Sequence, residues 1–345
     1  RALRRSPGDP ARTVLLTGPR GIGKTVLLNA LEDAAASLDW LVASETVHSG
    51  LADDLTRTVF PQLLAQADPA THNAAVTSLS GSVLGIGGSV GRQVSERHPV
   101  SPSLRQQLEG LAALALKQGR GVFISLDEVH RAEIGELKVL FHAIQHCLRR
   151  GLPVAFAAAG LPSAIDDLLN ADVITYLRRA ERFVLGPLPD HLVRAAIQTP
   201  VVQAGRQITA DALDLAVDAI RGYPFMVQVV GFELWEAAPL RPQIDADGAA
   251  LALARAARTA GRLVLEPALN DLSGRDRQFL AAMAAEPEGA VPVSALAERL
   301  GASRGVVAKY RARLIAAQLI EPAGRGLVRF AMPLLRDQLR SASSS

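Results

Sequence analysis

Over the first half of the chain, short apolar runs alternate with stretches of helical periodicity, the pattern of a parallel sheet covered by helices. The strand candidates are Thr13–Thr17 and residues 40–47, 121–126, 153–159 and 182–185. Helical periodicity fills Leu104–Lys117 and residues 134–148 between them. Residues 80–92, rich in glycine and serine, break the rhythm and are expected to form a mobile loop or a hairpin. After Gly186-Pro187-Leu188-Pro189 the pattern becomes wholly helical, with segments at 191–202, 210–220 and 225–237. An alanine-rich stretch at 244–270 reads as a connecting helix or two, and from Leu272 the order is helix, helix, turn, helix, hairpin. The expected organisation is therefore an α/β core over 1–188, a small helical domain over 189–243, a connector over 244–271 and a C-terminal module over 272–340.

Composition supports this reading and narrows the classes. With 49% hydrophobic and 21% charged residues, 345 residues can bury two or three cores. Cys147 is the one cysteine, which excludes a disulfide framework and a cysteine metal site. No apolar run reaches bilayer length and no signal peptide is evident, so a cytoplasmic protein without membrane contact is expected. Because the first residue is arginine, a trimmed chain or a piece of a longer one is expected. The net charge is only +3, and lysine occurs only at Lys24, Lys117, Lys138 and Lys309. Arginine abundance therefore reflects general composition, and position matters more than total. Residues 274–340 hold eleven basic and six acidic residues, or +5, which leaves −2 for the rest.

Two motifs carry candidate chemistry. Gly18-Pro19-Arg20-Gly21-Ile22-Gly23-Lys24-Thr25 joins the first strand candidate to a helical run at 26–31. Glycines let successive N–H groups turn inward around phosphate oxygens, and a helix N-terminus adds partial positive charge. The spacing is G-x-x-x-x-G-K-[ST], so the chain resembles the P-loop nucleoside triphosphatases. That resemblance implies a cradle of Gly18, Pro19, Arg20, Gly21, Ile22, Gly23, Lys24, Thr25 and Val26. Lys24 would reach the β- and γ-phosphates, and the Thr25 hydroxyl would hold Mg²⁺.

About a hundred residues later, Gly121-Val122-Phe123-Ile124-Ser125-Leu126 ends in Asp127-Glu128. A buried central strand accounts for the apolar run but not for two carboxylates at its C-terminal end, where open α/β sheets bind ligands. Beside a P-loop this reads as a Walker B strand, with Asp127 holding Mg²⁺ through water and Glu128 as general base. The Asp-Glu pair, with no guanine-reading Asn-Lys-x-Asp anywhere, is similar to AAA+ and related STAND ATPases. The helical segment after Pro187 corresponds to the AAA+ lid, and the whole chain resembles archaeal-type and origin-recognition-type ATPases with a C-terminal winged helix.

The departures from that family bear on rate. Its polar sensor at the end of the fourth strand is replaced by Ala157-Ala158-Ala159-Gly160, with no polar group before Ser163. In place of the lid arginine stands Gly222-Tyr223-Pro224-Phe225, similar to the Gly-x-Pro of STAND proteins, which brings Pro224 into the expected nucleotide set. Slow or partner-stimulated ATP hydrolysis is the expectation. Arg178 and Arg179 precede the fifth strand candidate, where the family places an arginine finger for a neighbouring subunit's γ-phosphate. Solvated arginines paired with Glu181 or nearby acids are the other reading, and both stay open.

In the C-terminal module, residues 278–283 form the first helix candidate and 293–300 the second, with Ser294 as its N-cap. Gly301-Ala302-Ser303 makes a turn into a third helix at 304–317. Val307, Tyr310 and Leu314 face its core side, which leaves Arg304, Ala308, Lys309 and Ala312 outward with Arg311 and Arg313 on the flanks. Gly324-Arg325-Gly326 forms the tip of a hairpin, completing a winged helix-turn-helix. Arg304, Lys309, Arg311, Arg313 and Arg325 are the candidate contacts to duplex DNA; a protein partner for the same module is the alternative. The resemblance further implies a homo-oligomer when ATP is bound and a nucleotide cycle between ATP and ADP. His130 and Arg131 follow the Walker B strand, where contact with the active site is one reading and a solvated helix start the preferred one; Trp40 and Trp235 read as core anchors.

Overall fold

Leu15 and Leu16 are both fully buried, so Thr13–Thr17 (β1) must have apolar cover on both faces, and it lies inside a parallel sheet. On one side β1 pairs with Val154–Gly160 (β4), and on the other with Glu181–Val184 (β5). Val122–Asp127 (β3) and Leu41–Thr46 (β2) complete a five-stranded sheet in the order β2-β3-β4-β1-β5. The computed structural model describes residues 3, 9–67, 102–131, 134–170, 175–237, 242–265, 269, 272–287, 289–317, 319–331 and 335–343. The glycine-rich stretch 80–92 lies outside the described residues.

Alternation along the strands sorts the core into two layers. Leu16, Phe123, Ala155, Ala157 and Ala159 face Lys24–Ala36 (α1), which contributes Leu28 and Ala35. Leu15, Ile124, Leu126, Phe156 and Ala158 face the opposite layer. That layer holds Phe60–Ala67 (α2), Leu104–Lys117 (α3) and Ile134–Arg149 (α4), with Pro162–Asn170 (α5) following β4. Each fully buried leucine or phenylalanine here is worth about 1.5–3 kcal/mol of transfer free energy, so the sheet is fixed by its faces. Helix α3 starts where Ser103 and Gln106 exchange hydrogen bonds in a capping box.

The chain divides into two compact units, the first comprising Arg1–Gly18 and Lys24–Val184, the second Pro19–Gly23 and Leu185–Ser345. In the second, Asp190–Gln203 (α6), Ala210–Ile220 (α7), Pro224–Ala237 (α8) and Ala246–Ala260 (α9) share one core. The segment read as a connector is thus a packed fourth helix. Ala249, Ala252, Ala256 and Ala260 line one buried stripe of α9, where small side chains permit close approach to its neighbours. A short parallel pair, Gln207–Ile208 (β6) with Gln243–Ile244 (β7), ties its entry in place. Trp40 is buried, but Trp235 is not the core anchor expected. It is 39% exposed, and the Arg206 guanidinium stacks 4.5 Å from its ring centroid.

The C-terminal part runs Gly274–Ala285 (α10), Val291–Pro292 (β8), Val293–Leu300 (α11), Arg304–Ala316 (α12), Ile320–Pro322 (β9), Leu327–Phe330 (β10) and Leu335–Ser343 (α13). The three strands form an antiparallel sheet in the order β8-β10-β9. Helix α10 begins at Gly274, four residues before the expected start, because the Ser273 hydroxyl caps it by accepting from Asp276 N–H. Ser294, by contrast, is no cap: α11 starts at Val293, with Pro292 in the cap position and no side-chain bond. Val307 and Leu314 are fully buried, and Arg304, Ala308, Lys309 and Ala312 are exposed as the helical spacing predicts. Arg336 and Arg340 of α13 donate to main-chain carbonyls of Ala284, Glu286, Pro287 and Gly289, fixing the stretch after α10. No helix among the described residues is long and apolar enough to cross a membrane.

One close approach in the second unit makes a stability prediction. Gly222 has φ +73°, and a Cβ there would stand 2.4 Å from the Leu188 carbonyl oxygen. The two backbones are joined by Leu188 N–H donating to Gly222 O at 2.7 Å. Gly222→Ala is expected to cost about 2–4 kcal/mol, read as a lower urea midpoint for the second unit. An unchanged midpoint would show that the turn relaxes freely.

Candidate functional site

The sheet register decides which loops meet. Thr17 lies opposite Gly160, and Thr46 opposite Asp127, so β1, β3 and β4 end at one edge. The helix that follows the glycine loop begins at Lys24, whose stem is buried. Lys24 Nζ donates to the Gly18 carbonyl at 2.9 Å. One residue on, Thr25 Oγ1 donates to Asp127 Oδ2 at 2.6 Å, joining positions 102 residues apart in sequence. Asp127 closes the buried strand β3, while Val26 is 73% exposed on the first turn of α1.

Glu128 sits just past the strand in a left-handed backbone, φ 58°. Its N–H donates to Asp127 Oδ1 at 2.8 Å. Its carboxylate Oε2 lies 3.2 Å from His130 Nε2 and 3.5 Å from Arg131 Nε. The expected solvated helix start is therefore wrong for His130, which is only 16% exposed and turned onto Glu128. The cause is the short 3-10 turn Val129–Arg131, which reverses the chain at once. Composition and spacing carried no signal of that reversal.

In the second unit, Pro19–Gly23 packs with the turn at 222–225. Gly21 and Gly23 have φ +73° and +92°, a region that only glycine enters freely. Gly21 O accepts from Phe225 N–H at 3.1 Å, and Arg20 O accepts from the Tyr223 hydroxyl. Ile22 is buried in the same core, and Pro224 stands 3.9 Å from where a Gly23 Cβ would be. Burial pushes the Tyr223 hydroxyl up to about 12, which keeps it a proton donor to that carbonyl throughout the physiological range. Tyr223 is a loop-holding residue that the sequence pattern did not single out.

Arg178 and Arg179 lie on the 3-10 turn Thr175–Arg179, and both are exposed. Arg178 Nε donates to the Leu169 carbonyl at 3.3 Å, so Arg179 is the less committed of the two. Glu181 forms no ion pair with either among the described residues.

The five C-terminal cations fall into different environments. Arg304, Lys309 and Arg325 are exposed and make no ion pair or hydrogen bond among the described residues. Arg311 is half-buried, with its Nε enclosed. Arg313 departs from the expected DNA set. Its Nη2 and Nε both donate to Asp276 Oδ1, at 2.7 and 3.3 Å, and its guanidinium lies 5.1 Å from the Tyr310 ring centroid. A buried carboxylate needs such a partner, and Arg313 is spent on it.

Residues 1–157 match the family model described as AAA ATPase domain, and residues 262–339 match one described as Domain of unknown function (DUF8462). No functionally curated protein matches the chain. Among solved structures, the Walker-type ATPase PABY2304 of Pyrococcus abyssi is similar at 16% identity and TM-score 0.65, over 98% of this chain and 92% of that one. The ORC2 protein of Aeropyrum pernix, solved with ADPNP and ADP, is similar at 14% identity and TM-score 0.57, over 96% and 88%. At these identities the likeness shows the fold.

Asp276 supplies a pH prediction. Burial alone would raise its carboxyl, but hydrogen bonds from Ser273 and Arg313 outweigh burial and hold it below its usual range. A depressed carboxylate stabilises fully above the unfolded value of about 3.9, and that stability fades as pH falls through the lower folded value. The C-terminal part is therefore expected to lose stability below about pH 4, and Asp276→Asn to flatten that slope in acid titrations followed by circular dichroism. An identical acid slope in the variant would contradict the assignment.

Proposed function

We propose, from the premise that this chain is an AAA+ P-loop ATPase carrying an AAA ATPase domain over residues 1–157, that it is a nucleotide-driven switch acting on duplex DNA. The observation that carries the nucleotide site is the 2.6 Å bond between Thr25 and Asp127, next to Lys24, whose Nζ donates to the Gly18 carbonyl. The ORC2 relative holds ADPNP and ADP, which supports an adenine nucleotide here.

The loop N–H groups and Lys24 bind the phosphates, Lys24 leaving the Gly18 carbonyl for the β- and γ-oxygens. Thr25 and Asp127 present a hydroxyl and a carboxylate, the hard oxygen donors that fit Mg²⁺, which when bound neutralises charge on the phosphates. Glu128 accepts the proton of the attacking water. Arg179 of a second copy reaches the γ-phosphate as a finger, with Arg178 the second candidate, so assembly and hydrolysis are coupled. With Ala159 and Gly160 at the end of β4, no sensor side chain reports the γ-phosphate there, which keeps unassisted turnover slow.

The order helix, strand, helix, helix, strand, strand in the C-terminal part supports reading it as a winged helix-turn-helix. Helix α12 offers Arg304 and Lys309 beside the small Ala308 and Ala312, with Arg311 on its flank, and the hairpin tip offers Arg325. These suit close approach to a groove and its phosphates. A second reading, a STAND-type signalling or defence ATPase whose module binds protein, is favoured by other cations being used up. Arg299, Arg313 and Arg329 are paired with Glu286, Asp276 and Glu321.

Two measurements test this. Glu128→Gln is expected to retain ATP binding while hydrolysis falls by about 10²-fold or more, and Lys24→Ala to lose binding itself. Wild-type hydrolysis in Glu128→Gln would remove Glu128 from the chemistry. On duplex DNA, Arg304→Glu with Lys309→Glu should weaken binding and cut the salt slope by about two phosphate contacts. Unchanged DNA affinity would leave the protein-binding reading.

A further inference from the structure

Strand β4 ends in Ala157-Ala158-Ala159-Gly160, all buried, and so brings no polar side chain to the sheet edge beside Asp127 and Glu128. The reason is steric. A Cβ on Gly160 would stand 2.4 Å from Val129 Cγ2. Val129 is itself buried, so any side chain at position 160 would have to displace a packed valine. Val129 plugs the end of β4.

The same plug decides where the next two residues go. Val129 opens the 3-10 turn Val129–Arg131, closed by Arg131 N–H donating to Glu128 O at 2.9 Å. With Val129 seated inward, His130 Nε2 comes to 3.2 Å and Arg131 Nε to 3.5 Å of one oxygen, Glu128 Oε2. The other oxygen, Oε1, accepts no hydrogen bond among the described residues. Glu128 also carries the strain of a left-handed backbone, φ 58°, which persists only where its surroundings hold it. One oxygen of the carboxylate lies within ion-pair distance of two side chains, and the other accepts no bond among the described residues.

We propose that His130 is the positioning residue for Glu128, supplying from the end of β3 the polar support that the plugged end of β4 cannot. The inference rests on Glu128 acting as the base. His130, with Nε2 carrying the proton, fixes Oε2 and leaves Oε1 to take the proton of water. Arg131 assists weakly, because its side chain is 58% exposed and its contact is longer. Orientation of this kind acts on turnover and not on nucleotide affinity.

The test uses the full chain, with ATP hydrolysis, binding of a fluorescent ATP analogue and thermal unfolding measured in parallel. His130→Ala is expected to lower kcat by on the order of 10-fold, with KM and analogue affinity unchanged. His130→Gln, whose amide can donate to Oε2, should recover most of that loss. Adding His130→Ala to Glu128→Gln should cost nothing further, since a residue acting through Glu128 has nothing left to position. Wild-type kcat in His130→Ala, or a loss that multiplies on the Glu128→Gln background, would overturn the proposal. If His130→Ala fails to fold, the Gln variant on both backgrounds gives the same two readings. Wild-type hydrolysis by Glu128→Gln alone would instead sink the base assignment itself, so the two failures are distinguishable.

Discussion

The parallel register of β1, β3 and β4 is the constraint on which the first unit depends. Pairing Thr17 with Gly160, and Leu126 with Ala158, makes three strands end at one edge. Only because of that alignment can a hydroxyl at position 25 bond a carboxylate at position 127. The register is set in turn by burial: a one-residue slip of β3 would send Ile124 and Leu126 to the wrong face. Chemistry at the edge and packing in the interior are therefore the same choice of pairing. Gly160 shows the cost of this economy, since the residue that lets Val129 pack also removes a side chain from the edge.

Within the second unit, polar contacts join elements that also share its apolar core. Asp276 joins the start of α10 to α12 through Arg313, and α13 is stapled to the stretch after α10 by Arg336 and Arg340. These ties explain why arginine is abundant in the C-terminal part without all of its charge being available to a partner. Pro19–Gly23 belongs to this unit by its contacts, with Tyr223 and Phe225 holding two of its carbonyls. The glycine loop is thus held by bonds to its carbonyls.

Much of the fold was legible because long periodic segments leave little choice. The strands β1, β3 and β4 and the helices α3, α7 and α11 lie at or within a residue of where periodicity puts them. What failed was local. The start of α10 was hidden because Ser-Gly-Arg-Asp-Arg reads as loop until Ser273 is seen capping Asp276. Helix α9 looked like a connector because alanines carry a weak hydrophobic signal, although they pack closely. Trp235 was misread because a tryptophan can bury one face and give the other to an arginine.

The candidate site divides the same way. Its motif residues were legible, because phosphate chemistry demands fixed spacing. Where His130, Tyr223 and Arg313 sit was not, because turns and tertiary contacts place them. The account's central claim is that Thr25 and Asp127 form one magnesium–nucleotide site. A double-mutant cycle with Thr25→Ala and Asp127→Asn, read as ATP affinity with Mg²⁺ and with a chelator, tests it directly. The predicted result is that in Mg²⁺ the double variant binds no worse than the weaker single one, with the coupling lost under chelation. Losses that simply add, in Mg²⁺ and chelator alike, would contradict it.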